Sequence, residues 1–343
     1  MIKIVKVKEI SDSVKQKFSS HPDFTVFHES GFLLSYQRRS RFTKAFIIID
    51  DKQQLLIPFI TNIFPLCLSF LNEALIIASP LYQNSHILAD GFEMLTKFCI
   101  KKKVAVVSLS AYYQEKNPDF LKKQGFIVFS NNTFIINPQK SEQELWLALH
   151  KKNRHLIKKA GRMAVKIKLA QKWQDWQRYH HLYKETINRA IKKGGKNLSA
   201  KSLDEFRAVY QFLSPKKNAH LFLAEQGADL LAGALILNAA QKAYFWTGAT
   251  SLQKRSYGAN NLLHWEIITW ARKQGFTSYD LGGTPDVNEQ DPLKKAIRCF
   301  KKDFGGEEKF FFTGQKVLGP WAYRLRRLAM PALIKLYDKT VKN

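Results

Sequence analysis

Three hydrophobic patterns run along this chain: alternation with polar residues, recurrence at helical spacing, and short unbroken apolar runs. Lys3–Val7 predicts a first strand and Ser11–Phe18 a first helix. Phe32–Gln37, Ala45–Ile49 and Leu55–Ile60 read as strands, the last two joined through the Asp50-Asp51-Lys52 turn as a hairpin. Ala74–Ala78 is a further apolar run that ends at Ser79-Pro80. Over Ile87–Ile100, Leu88, Phe92, Leu95 and Phe98 or Cys99 share one helical face. Val104–Ser108 reads as a buried strand, Pro118–Lys123 as a short helix, and Phe126–Phe129 with Thr133–Ile136 as a hairpin.

Asn137-Pro138 marks a boundary. Behind it, Ser141-Glu142-Gln143-Glu144 is a capping box that opens a helix carrying Leu145, Leu149, Leu156 and Ile157 and closing at Gly161. Val165, Ile167 and Leu169 alternate with Lys166 and Lys168 as a half-buried strand. Helices follow over Asp175–Ile191 and Ser202–Leu213. Leu221–Ala224, Leu231–Leu237 and Ala243–Gly248 then predict a three-strand meander.

The stretch from Arg255 to Gly306 has the layout of a ligand site. A turn, Arg255-Ser256-Tyr257-Gly258-Ala259-Asn260, opens a helix with Leu263, Ile267, Trp270 and Ala271 at helical spacing. Such a turn aims free backbone N–H groups at an anion. Gly275 suits the left-handed position that ends the helix. Phe276–Leu281 reads as a buried strand stopped by Gly282-Gly283, and Asp291-Pro292 caps a second helix. Phe310–Phe312 is the last strand. The element order of the second half is similar to that of the first, so two copies of one α/β unit are expected.

Composition alters this picture in one respect. The chain has 343 residues, enough for two domains, and 45% hydrophobic content, but 55 Lys and Arg stand against 28 Asp and Glu, a net charge of +27. That surface attracts phosphates of nucleic acids or nucleotides, or an acidic membrane face; a basic surface without function is the alternative. Three cysteines without CxxC spacing suit a reducing cytosol, and no metal-ligand spacing appears. Met1–Ser19 carries charge throughout and does not read as a secretory signal. Gln53–Asn72 is uncharged and long enough to span a bilayer, but Pro58, Asn62 and Pro65 interrupt it, so strand, turn and strand are expected there.

The order of elements and the turn resemble the acyltransferase fold of the GNAT superfamily, whose pyrophosphate loop is Gln/Arg-x-x-Gly-x-Gly/Ala. Arg255–Asn260 matches except at its last place. Longer blocks within residues 141–312 are similar to the FemABX family of non-ribosomal peptidyltransferases, which build peptidoglycan cross-bridges. They are Trp146 with Lys151–Ala160; Glu185-Thr186 with Arg189; Tyr244–Thr250; Leu262–Glu266; Tyr279–Gly283; and Phe300–Gly306. The resemblance implies an α/β fold of tandem GNAT-like acyltransferase domains, each a mixed, mostly antiparallel sheet flanked by helices. These would span residues 1–140 and 141–314, with residues 315–343 docked on the first. It further implies an aminoacyltransferase moving an amino acid from aminoacyl-tRNA to an amine of a peptidoglycan precursor, nucleotide- or lipid-linked. Such an enzyme would work without a cofactor, as a cytoplasmic monomer, in possible peripheral contact with the inner face of the membrane. Lys192–Ala200 is too short for the coiled-coil arm of some members, so the chain looks like the compact type. The alternatives are an acyl-CoA-dependent N-acyltransferase and a non-catalytic module that binds tRNA or membrane.

Transfer from an ester to an amine needs the amine placed against the carbonyl, a sink for a proton and donors for the developing oxyanion. Family position makes Lys301 the first candidate for that donor. On a helical wheel Leu293, Ile297, Phe300 and Phe304 form the buried face, and Lys301 lies roughly 80° from its centre, where a lysine can reach into a cleft or snorkel to water. Asp280 is the second catalytic candidate, orienting a lysine or the acceptor amine, or merely capping its turn. Arg189 is expected to grip a diphosphate or carboxylate, against an i,i+4 pair with Glu185. Tyr244, Trp246 and Tyr279 are candidates to line an acceptor cleft, against core packing. Arg255, Gly258 and Asn260 are substrate-binding candidates in the turn. Lys151–Lys172 holds nine Lys or Arg and no acid; Lys151, Lys152, Arg154, Lys158 and Lys159 are the candidates to track tRNA phosphates, against a solvated basic face. The tail from Pro320 to Lys339 mixes Trp321, Leu325 and Leu328 with Arg324, Arg326 and Arg327. It suits either docking on the first domain or a membrane surface.

Overall fold

The computed structural model describes residues 1–38, 40–112, 118–195, 200–252 and 257–329. The chain divides into two compact units, Met1–Ser130 with the segment from Phe311 onward, and Asn131–Phe310. The first cut falls inside a strand rather than at Asn137-Pro138.

The first unit comprises β1 (Ile2–Lys6), α1 (Asp12–Ser19), α2 (Ser30–Gln37), β2 (Thr43–Asp50), β3 (Leu55–Asn62), β4 (Glu73–Ile76), β5 (Leu81–Tyr82), α3 (Ser85–Lys101), β6 (Val106–Tyr112), α4 (Pro118–Lys123) and the start of β7 (Ile127–Ile136). Its sheet order is β1-β2-β3-β4-β6, with β5 also on β3. All pairs are antiparallel except β4 with β6, which run parallel. The amphipathic α3 packs Leu88, Phe92, Leu95 and Cys99 onto Ile48, Leu55, Ile57 and Phe59 of this sheet.

Two sequence expectations change here. Phe32–Gln37 is helical, not a strand: Phe32 and Leu33 are buried, and Phe32 meets Tyr36 one turn on, with ring centroids 5.1 Å apart. A short apolar run carries too few residues for its period to separate the two states. Ile127–Ile136 is one strand rather than part of a hairpin. Asn131-Asn132 resembles a turn, but Asn132 pairs with Thr284 and its side chain bonds to Glu308 at 2.5 Å. The apolar 53–72 segment is β3 followed by a 3-10 helix, Leu66–Leu71. Among the described residues no helix is long and apolar enough to cross a membrane.

The second unit continues with α5 (Glu142–Ala148), α6 (Lys151–Arg162), β8 (Lys166–Leu169), α7 (Trp173–Lys192), α8 (Leu203–Leu213), β9 (Ala219–Gln226), β10 (Asp229–Ala239), β11 (Lys242–Thr250), α9 (Ala259–Lys273), β12 (Ser278–Thr284), α10 (Pro292–Lys302) and the start of β13 (Glu307–Val317), whose remainder belongs to the first unit. Its sheet order is β7-β12-β11-β10-β9-β8. Again one pair is parallel, β11 with β12, and the others are antiparallel. Leu263, Ile267, Ile268 and Ala271 of α9 pack on Phe222, Ala234 and Ile236 as the main core.

The helix expected over residues 142–161 is two helices. Leu149 and His150 are extended, and His150 accepts the backbone N–H of Lys152 to open α6. The break admits the end of α10. The His150 N–H and the Asn153 side chain both donate to the Asp303 carbonyl, at 2.9 Å each. Gly305 fits there for two reasons: its φ is +76°, and a Cβ would lie 2.5 Å from the Ala148 carbonyl oxygen.

Candidate active site

The parallel pairing of β11 and β12 lasts only from Lys242 opposite Ser278 to Tyr244 opposite Asp280. Beyond it β11 runs on to Thr250 beside β10, and β12 runs on to Thr284 beside β7. The two strands therefore lose their mutual ladder inside the sheet, and backbone groups there need other partners. The β12 register also shifts between Asp280 and Gly283. Gly282-Gly283 thus does not stop the strand, as its sequence suggested; it forms a bulge within it.

Lys301 fills this opening. It is the one buried residue of α10. Its Nζ donates to the carbonyls of Gly282 at 2.9 Å and Gly283 at 2.7 Å, and lies 5.9 Å from the centroid of the Phe245 ring. Desolvation lowers its pKa to about 8, while the nearby Asp280 carboxylate acts in the opposite direction. The ammonium thus donates to two carbonyls. The wheel put Lys301 at the border of an apolar face. Instead α10 is rotated: Ile297 is 41% exposed, and Lys301 and Phe304 point inward. The wheel treats every cation as an outward residue, and it cannot see two carbonyls released by a bulge in another strand.

Asp280 is buried at the bulge. It accepts the Gly282 N–H at 2.7 Å and the hydroxyl of Thr133 from β7. It thus holds the backbone turn that aims the two carbonyls, and it supplies negative potential to Lys301. Tyr279, expected to line a cleft, is fully buried. Its hydroxyl lies 3.3 Å from His264 Nδ1. Burial, and secondarily the charge of Lys301, lowers the His264 pKa to about 3, so the imidazole stays neutral beside the lysine. His264 also packs on Phe245, Phe300 and Phe304, at centroid distances of 5.0, 5.4 and 5.1 Å. Sequence reasoning gave no role to His264, Thr133 or Asn153. A histidine and an asparagine on the inward faces of otherwise apolar helices were the available signal.

The turn before α9 is tightly packed. Arg255 lies outside the described residues. Gly258 has φ +72°, and a Cβ there would sit 2.4 Å from the Leu156 carbonyl oxygen of α6, so glycine is required on both counts. Asn260 is half-buried in the first turn of α9. Its neighbour Asn261 donates to the Asn153 side chain at 2.9 Å, which links α9 through Asn153 to the end of α10.

Arg189, on α7, meets β11 at its far end. Its guanidinium donates to the Thr250 carbonyl and, at 3.2 Å, to the Thr186 hydroxyl. Glu185 pairs instead with His181 at 3.2 Å. Arg189 lines an open cleft of about 770 Å³ with Arg178, Glu185, Asn188, Lys192 and Leu252. Thr250 is five residues along the strand from Phe245, roughly 16 Å at the usual rise. Tyr244 is buried, and Trp246 is half-buried against Phe206 with Lys201 over its ring at 4.9 Å.

The basic run divides. Lys151, Lys152 and Lys158 are exposed on α6 and Lys159 is half-buried, whereas Arg154 donates to the carbonyls of Leu147 and Leu149 and so caps the end of α5. Arg154 thus fastens the end of α5 through Nη1. Lys158 lies 6.0 Å from the Trp146 ring centroid. Among the described residues no three His, Cys, Asp or Glu side chains form a metal site.

Residues 149–295 match the family model of an acetyltransferase (GNAT) domain. Over 75 residues the chain is 36% identical to the lipid II:glycine glycyltransferase of Staphylococcus saprophyticus and 35% identical to that of Staphylococcus aureus. Each match covers 22% of this chain and 18% of the relative, so less than a fifth of these curated relatives is spanned. The whole fold is similar to the crystal structure of FemX, with a TM-score of 0.74 at 17% identity over 94% of this chain and 99% of that one. It is also similar to L-PGS from Bacillus licheniformis, with a TM-score of 0.60 at 12% identity over 93% and 96%. The fold is therefore the GNAT acyltransferase fold in two tandem copies. Within that fold, the chain is similar to FemX and, over 75 residues, to the lipid II:glycine glycyltransferases.

Proposed function

We propose that the chain is an aminoacyltransferase that takes an amino acid from aminoacyl-tRNA and joins it to an amine of a peptidoglycan precursor peptide. The observation that carries this reading is the buried Lys301 ammonium, seated on two carbonyls where β11 and β12 part. The acceptor nitrogen attacks the ester carbonyl carbon and a C–N bond forms. The carbonyl oxygen takes up negative charge, which the Lys301 ammonium stabilises. Collapse breaks the ester C–O bond, and the proton lost by the amine ends on the ribose oxygen. Asp280 keeps Lys301 charged and holds the Gly282–Gly283 turn; it does not touch the reacting atoms. No cofactor takes part. The Arg189 cleft, roughly 16 Å along β11, suits an anionic part of an extended substrate, and the exposed lysines of α6 suit tRNA phosphates. That the staphylococcal relatives are lipid II:glycine glycyltransferases supports a peptidoglycan precursor as acceptor.

A second reading rests on the match to an acetyltransferase domain: acyl-CoA as donor, its diphosphate at the start of α9. The crowding of Gly258 by Leu156 weighs against it. Purified chain, a precursor with a free amine, and either charged tRNA or acetyl-CoA separate the two, read by product mass. Amide product from charged tRNA is expected; product from acetyl-CoA alone would overturn the proposal.

A further inference from the structure

The helix over residues 320–329, in the first unit, is inverted. Trp321, Leu325 and Leu328 are 77%, 53% and 77% exposed, and at 100° per residue they fall within about 60° of arc. Ala322, Tyr323, Arg326 and Ala329 are the less exposed residues of the same helix. The inward side is held by polar contacts. Arg326 donates to the Leu71 carbonyl at 2.6 Å and to the Glu73 carboxylate, and the Tyr323 hydroxyl donates to the Gln315 side chain at 3.3 Å. A surface helix normally faces its apolar residues inward. Here an arginine is spent on docking while a tryptophan and two leucines face out.

The outward face is part of a larger patch. Leu71 ends the 3-10 helix Leu66–Leu71, of which Leu66 is 72% and Leu68 40% exposed. Leu68 is one 3-10 turn from Leu71, about 6 Å, so these leucines lie near the docked helix. The corner is knit together by backbone. The Asn72 side chain donates to the Lys102 carbonyl, the Ala105 N–H to the Asn72 carbonyl, and the Gly319 N–H to the Ala105 carbonyl, at 3.0, 3.0 and 3.2 Å. Cations surround the apolar centre. Lys101, Lys102, Lys103, Arg324 and Arg327 are exposed, and the Arg324 guanidinium lies 5.4 Å from the Trp321 ring centroid. The corner's carboxylate, Glu73, is already engaged by Arg326 and by Asn62.

We propose that this corner of the first unit, Leu66–Leu68 with the outward face of helix 320–329 and the Lys101–Lys103 turn, seats the protein on an anionic phospholipid surface. Leucines enter the acyl boundary, the tryptophan sits at headgroup depth, and the lysines and arginines meet lipid phosphates. A protein partner would need its own acidic rim around an apolar socket, whereas an anionic bilayer offers both layers everywhere. The net charge of +27 favours the same surface. The surface is independent of which acyl donor the second unit uses.

The test is co-sedimentation of the full chain with phosphatidylcholine vesicles, with and without phosphatidylglycerol. Binding to the phosphatidylglycerol vesicles is expected, weakening with salt. Trp321→Ser, Leu325→Ser and Leu328→Ser together should reduce it about tenfold or more. Lys101→Gln, Lys102→Gln and Lys103→Gln together should reduce it about tenfold or more. Both sets are at exposed positions and should keep the parent melting temperature, which is measured alongside. Absence of binding, equal binding by the serine variant, or a self-association of the parent that the serine variant loses would overturn the proposal.

Discussion

The two units each place a short helix after the inner strand of their parallel pair, α4 after β6 and α10 after β12, and the two helices bury different residues. α4 buries Leu121, at 0% exposure. α10 buries Lys301, at 9%. A buried leucine stabilises its unit by its transfer out of water, by about 1.5–3 kcal/mol. A buried ammonium costs stability unless hydrogen bonds compensate. The surroundings differ accordingly. In the first unit the Ser110 hydroxyl takes the Ile76 carbonyl at the end of the β4 ladder, at 3.0 Å. In the second, two bulge carbonyls are presented to a lysine. The same architecture thus serves as core in one copy and holds a partly desolvated cation in the other.

The comparison is broken most sharply at Lys301. Lys301→Met removes the proposed oxyanion donor and should lower the rate of the chemical step by about 10²–10³, while the melting temperature stays or rises because an apolar side chain suits the burial better. A variant that folds well and transfers at the parent rate would remove the distinction between the units. Leu121→Ala should have the opposite profile. It should cost about 2–5 kcal/mol in denaturant unfolding, with the specific activity of the folded fraction unchanged. Tyr279→Phe sharpens the picture at smaller scale. Loss of the hydroxyl beside His264 should cost about 1 kcal/mol of stability and leave the apparent affinity for substrate unchanged. A raised KM would mean that the ring does reach substrate.

Much of this was legible in sequence because it is local. The Asp291 cap, the left-handed Gly275 and the α3 face each depend on residues within a few positions, and all are as expected. The environment of Lys301 was not legible for the opposite reason. The carbonyls under Lys301 come from a bulge in β12, and that bulge is held by Asp280 with Thr133 of β7, far away in sequence. Likewise Asn131-Asn132 imitates a turn until its Glu308 and Thr284 partners are known. The break between α5 and α6 exists because Gly305 and Asp303 dock into it. Periodicity reports which side of an element is apolar; it does not report a polar niche built by other strands.

The pH dependence of transfer tests the account most directly. The folded pKa of Lys301 is lowered from 10.5 to about 8, so the folded state releases this proton first. Stability from this group therefore rises as pH climbs from about 8 toward the unfolded value, and the full burial cost is present below that window. Activity should run the other way, because the donor is lost as Lys301 deprotonates. The parent's single-turnover rate should fall as pH rises through about 8, and in Lys301→Arg, whose guanidinium stays charged, that alkaline fall should vanish even if the rate is lower throughout. The same alkaline fall in both proteins would contradict a charged Lys301 as the oxyanion donor.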